Sequence, residues 1–105
     1  MQTIDVRPEE LSAVLAIVDR YLPGREIRVF GSRVGGKAKP YSDLDLVVMG
    51  DAPLPDPVMA DLREAFRESN LPFKVDLLDW AATNNAFRRV IEREFVVLRE
   101  SGVPA

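Results

Sequence analysis

The chain has 105 residues, 47% hydrophobic and 30% charged, with a net charge of −3 and neither cysteine nor histidine. That balance describes a single globular domain over residues 1–105 and excludes disulfides, zinc sites and a histidine general base. The acidic sum argues against a general nucleic-acid coat. With no apolar run near ~18 residues and no secretory pattern at the N-terminus, no membrane role and a cytoplasmic location are expected.

Residues 8 to 22 predict an amphipathic helix, in which Leu11, Val14, Leu15, Val18, Tyr21 and Leu22 recur at helical spacing. Pro8 suits the first helical position, Glu9 and Glu10 complement the helix dipole, and Pro23-Gly24 ends the element. A short strand follows over Ile27 to Phe30, with Ile27 and Val29 on one face and Arg28 and Phe30 on the other. Next comes a Gly31-Ser32 corner and a basic loop. Arg25, Arg28, Arg33, Lys37 and Lys39 stand against the single acid Glu26, opposite in sign to the chain as a whole. Gly35-Gly36 predicts a mobile turn.

The second strand, Asp43 to Met49, opens on two acids. Alternation places Asp43 and Asp45 on one face and Leu44, Leu46 and Val48 on the other. Carboxylates one strand repeat apart lie roughly 7 Å from Cβ to Cβ and can converge on hard cations. An apolar strand tolerates two acids on one face only where that face is solvated or binds something. Asp-x-Asp alone, or Gly-Ser alone, is an ordinary pattern. Together, phosphate-receptive donors, a cationic loop and paired carboxylates point to phosphoryl or nucleotidyl transfer.

Three prolines between Pro53 and Pro57 make a stiff surface connector. Asp56 is the expected N-cap and Pro57 the first residue of a helix to about Ser69 that buries Val58, Leu62, Ala65 and Phe66. Asn70 and Pro72 bar its continuation. Phe73 to Asp79 predicts a third strand, with Asp76 either an edge charge or a third functional acid. Trp80 suits the core, with a base-stacking role left open. Thr83-Asn84-Asn85 caps a final helix whose stripe runs through Phe87, Val90, Ile91, Phe95 and Leu98. Val96 and Val97 widen that stripe towards a homo-oligomer or partner surface. Gly102 to Ala105 reads as a tail.

The spacing Gly31-Ser32, ten residues, Asp43-x-Asp45 resembles the minimal nucleotidyltransferases (MNT) of the DNA polymerase beta superfamily. Arg33 after the serine and Ser42 before the first aspartate match as well. Val75-Asp76-Leu77-Leu78 is similar to the strand that carries the family's third carboxylate, with Asp79 as its near neighbour. The resemblance implies an α/β fold of the α+β kind, a small mixed sheet with helices mostly on one face. It implies catalytic and metal-binding roles for Asp43, Asp45 and Asp76, nucleotide phosphates at Gly31, Ser32 and Arg33, two Mg²⁺ ions, and ATP as substrate.

The chain leaves little length for a deep acceptor pocket, so the acceptor is expected on another molecule. In that respect it looks like the antitoxins of HEPN–MNT pairs, which adenylylate a HEPN-type toxin. The alternatives are a non-catalytic module that masks its partner and a small-molecule nucleotidyltransferase.

Overall fold

The computed structural model describes residues 3–102 and contains three helices and a four-stranded mixed sheet. Helix α1 (Pro8–Tyr21) leads into β1 (Ile27–Phe30) and β2 (Leu44–Val48), and α2 (Asp56–Arg67) crosses to β3 (Val75–Asp79). A 3₁₀ turn (Trp80–Ala82), α3 (Asn85–Arg93) and β4 (Phe95–Arg99) complete the chain. The sheet order is β3-β2-β1-β4: β1 is antiparallel to both β2 and β4, whereas β2 and β3 run parallel. A parallel pair requires a crossover connection, and α2 supplies it.

Helix α1 starts as its sequence predicts, with Pro8 at the N-terminus and Glu10 accepting from the Arg7 N–H at 2.8 Å. Its Val14 and Val18 are fully buried, and Leu22 caps it in the same core. Helix α2 starts one residue before the expected point. Pro55 is the N-cap, its carbonyl accepting from the Val58 and Met59 N–H groups, so Asp56 is already helical and makes no capping bond. The helix ends at Arg67, and Met59 rather than Val58 or Ala65 joins Leu62 and Phe66 among the buried residues.

Alternation along the strands builds two cores. On one face Ile27, Val29, Leu44, Leu46 and Val48 pack with residues of α1 and α2. On the other, Phe30 and Val47 meet Ile91 of α3, with Leu78, Trp80 and Phe95 around them. Two helices thus cover the first face and one part of the second.

The expected final helix is corrected. It stops at Arg93, and Phe95–Arg99 is a strand beside β1. The helical stripe through Phe95 and Leu98 also reads as alternation: Phe95 joins the second core, and Val96 and Leu98 pack on the first. β-Branched Val96 and Val97 favour the extended form, and the pairing covers the edge that β1 would otherwise expose. A C-terminal helical surface for self-association therefore loses its second half. Of the expected tail, residues 103–105 lie outside the described residues.

Candidate active site

The two strand ends that carry the motif are neighbours. Phe30, last in β1, pairs with Asp45, and Gly31 then turns the chain away with φ +83°. A Cβ at position 31 would collide with Asp45 Oδ2. Only glycine allows both this left-handed turn and so close an approach. The corner continues as a helical turn in which the Val34 and Gly35 N–H groups donate to the Gly31 carbonyl. The N–H groups of Ser32 and Arg33 precede those bonds, the position from which a first turn receives anions.

Across β2, Asp45 pairs in register with Asp76 of β3, so two acids stand on adjacent strands on one face, with Asp43 one repeat before Asp45. Asp45 is half-buried, while Asp43 and Asp76 are exposed. Its carboxyl is pushed up from 3.8 to about 6, first by burial and then by the charges of Asp76 and Asp43. A site that raises proton affinity by crowding like charges offers a cation the same stabilisation. Among the described residues no three ligating side chains close into a ready cage. The donor set is nevertheless all hard oxygen and fits Mg²⁺ or Mn²⁺ better than a softer metal.

Asp79 is separated from this group. Its carboxylate accepts from the Leu54 N–H at 2.7 Å and the Ala81 N–H at 3.2 Å, fastening the connector before α2 and the 3₁₀ turn. Of the two neighbouring acids, Asp76 faces Asp45 and Asp79 holds loops.

Arg33 is placed differently from the phosphate-contacting role expected of it. It is only 5% exposed, and its guanidinium donates to the carbonyls of Asp5, Pro40 and Ser42 while lying over the Phe73 ring. Its side chain fastens both ends of the loop rather than reaching into the site. Arg25 donates to the Met49 carbonyl, and Arg28 pairs with Glu26 over the Phe95 ring. Lys37 and Lys39 are the members of the basic run left exposed on the loop.

A cleft of ≈ 540 Å³ that the sequence reading missed opens beside the carboxylates. Asp45 and Asp76 form one end, and Phe30, Leu78 and Phe87 its apolar walls. Phe30 and Phe87 meet edge to face at 5.9 Å. Asn84 caps α3 at the rim, accepting from the Phe87 N–H. The signal was the parity of Phe30, which shares its face with Asp45. Trp80 packs at the second core with Arg88 over its ring.

This arrangement can hold a phosphate chain at the corner, cations at the acids and a flat, partly apolar group in the cleft. The sequence model for the nucleotidyltransferase domain matches residues 11–100. The chain is 47% identical over 97 residues to the probable protein adenylyltransferase MntA of Haemophilus influenzae, covering 92% of this chain and 85% of that protein. Its fold superposes on a chain from the crystal structure of a toxin–antitoxin with AMP-PNP (TM-score 0.72, 21% identity, 87% of this chain and 73% of that one). It also superposes on a chain of the tri-AMPylated Shewanella oneidensis HEPN toxin in complex with MNT antitoxin (TM-score 0.67, 20% identity, 89% and 71%). At those identities the two structural likenesses concern the fold.

Proposed function

We propose, from the premise that this chain belongs to the nucleotidyltransferase-domain family, that it is a protein adenylyltransferase. It transfers AMP from ATP to a hydroxyl of a partner protein in the cytoplasm, as the antitoxin of a HEPN-type toxin. The observation that carries this reading is the meeting of Gly31, Asp45 and Asp76. A glycine corner lies against a carboxylate whose proton affinity is raised first by burial and then by a second acid on the next strand. The kinship with a probable protein adenylyltransferase supports the choice of acceptor class.

The Gly31-Ser32 corner receives the β- and γ-phosphates through backbone N–H groups and the serine hydroxyl. Mg²⁺ held by Asp43 and Asp45, with a second ion shared by Asp76, would screen the triphosphate and lower the pKa of the acceptor hydroxyl. Asp43 and Asp45 would orient the α-phosphate only through the cation they hold, and Asp76 takes up or directs the hydroxyl proton. The acceptor oxygen attacks the α-phosphorus in line, the bond to the bridging oxygen breaks, and pyrophosphate leaves. The cleft beside the acids, walled by the contacting Phe30 and Phe87 rings and Leu78, receives a planar ring and keeps water off one side of the reaction.

The test is transfer of label from α-labelled ATP to a co-expressed HEPN partner in the presence of Mg²⁺. Wild type should label the partner, and the Asp43→Asn, Asp45→Asn double variant should bind it without labelling it. Labelling that persists in the double variant removes the enzyme reading. Neutralisation of the partner by wild type without label favours masking.

A further inference from the structure

β3 ends the sheet among the described residues and pairs only with β2. The parallel register sets Leu44 opposite Val75, and the Leu44 N–H donates to the Lys74 carbonyl. In a parallel ladder this turns the main-chain groups of residues 74, 76 and 78 towards β2, and those of Val75 and Leu77 outwards. Along that outer edge runs a groove of ≈ 420 Å³. Four consecutive residues, Lys74 to Leu77, line it. Consecutive side chains of a strand point to opposite faces, so a groove touching all four follows the edge itself. Its other wall includes Arg63 and Arg67 of α2.

We propose that this edge docks the acceptor: an extended, acidic segment of the partner protein adds to the sheet along Val75 and Leu77. The inference rests on the reading of the site as a protein adenylyltransferase. An added strand lies about 4.8 Å from β3, and side chains directly opposite on one face have Cβ atoms about 5 Å apart. The residue opposite Asp76 therefore presents its hydroxyl on the catalytic face, with Asp76 between it and Asp45. Charge selects the segment. Arg63, Arg67 and Lys74 converge on the groove of a protein whose net charge is −3. Arg67 shares Glu64 at 2.7 Å, a surface pair with both members well exposed and readily given up. Main-chain pairing supplies affinity for any extended segment, and the three cations choose an acidic one.

The experiment uses the full chain with Mg²⁺, α-labelled ATP and two probes, a random Glu–Tyr copolymer and a random Lys–Tyr copolymer. Amide hydrogen exchange at Val75 and Leu77 reports docking, and label on the polymer reports transfer. The Glu–Tyr polymer is expected to slow both amides by ~10-fold or more and to accept label, and the Lys–Tyr polymer to do neither. Val75→Pro removes an outward N–H while leaving the β2 ladder intact, and should raise KM for the Glu–Tyr polymer by ~10-fold with KM for ATP unchanged. The double change Arg63→Glu, Lys74→Glu should do the same without touching the main chain, which covers the case that proline unfolds the strand. Label on the Glu–Tyr polymer with both amides exchanging as in the free protein overturns the docking edge and keeps the transferase. Slowed amides with no label keep the docking edge and overturn the transferase. Exchange unchanged by either polymer, with no label, overturns both.

Discussion

The two faces of this sheet are built from the same strands and end in opposite states. On one, Leu44, Leu46 and Val48 are sealed beneath α1 and α2. On the other, Val47 is equally buried under Ile91, yet its neighbour one repeat away is the half-buried carboxylate of Asp45. The second core is small and leaves the first residues of β2 and β3 uncovered on this face. That partial cover raises the proton affinity of Asp45 while leaving Asp43 and Asp76 in water. A sealed face gives stability, and a half-sealed one keeps a carboxylate within reach of solvent with its proton affinity raised.

Single substitutions one residue apart should separate these roles. Asp45→Asn should lower label transfer by ~10³-fold, about 4 kcal/mol of barrier, while the melting temperature of the metal-free protein holds or rises. Leu46→Ala, on the sealed face, should cost about 3 kcal/mol in a denaturant melt and leave the rate per folded molecule near wild type. If the two phenotypes are exchanged, the faces are misassigned. Gly31→Ala joins both effects. Its Cβ meets Asp45 Oδ2 and its φ is left-handed, so transfer should fall ~30-fold with about 1 kcal/mol of stability lost.

A pH series sharpens the contrast without mutating the sealed face. Because folding raises the Asp45 pKa from 3.8 to about 6, the folded state binds the proton more tightly than the unfolded chain does. The associated stability is fully present below pH 3.8 and is lost as pH rises through 6. Metal-free protein should therefore melt a few degrees higher at pH 5 than at pH 7.5, and Asp45→Asn should flatten that difference. A melting temperature that falls instead between pH 7.5 and 5 contradicts the crowding of the acids. The smallest effect is expected at Asp79→Ala, which removes acceptors from the Leu54 and Ala81 N–H groups. It should cost about 1 kcal/mol of stability with transfer unchanged.

The candidate site was legible where its geometry is local. Gly31, Asp43, Asp45 and the parity of β2 follow from alternation and turn chemistry within one stretch. Asp76 was preferred to Asp79 on resemblance alone; the register that sets Asp76 beside Asp45 and the long-range loop bonds that occupy Asp79 are seen only in the fold. What stayed hidden depends on pairing at a distance. Phe95 to Leu98 satisfies both a helical stripe and a strand alternation, and only the open edge of β1 decides between them. Arg33 follows a serine at the motif and carries the right charge for a phosphate. Its actual acceptors, the carbonyls of Asp5, Pro40 and Ser42, are invisible to any reading of side-chain types. The cleft walled by Phe30, Leu78 and Phe87 likewise needs α3 folded back over the second face.

The grip of Arg33 has a consequence for how this loop can vary. All three of its acceptors are main-chain oxygens, and a carbonyl survives almost any exchange of the side chain beside it. Substitutions at positions 5, 40 and 42 thus leave the fastening in place, whereas a change at position 33 releases all three strands of it at once. Lysine would not serve, since a point charge lacks the planar fork that reaches three separated oxygens. The arrangement concentrates the vulnerability of the loop in one residue and frees its surroundings to drift. A saturation library should show position 33 as intolerant beside permissive positions 5, 40 and 42, read from folding rather than from catalysis.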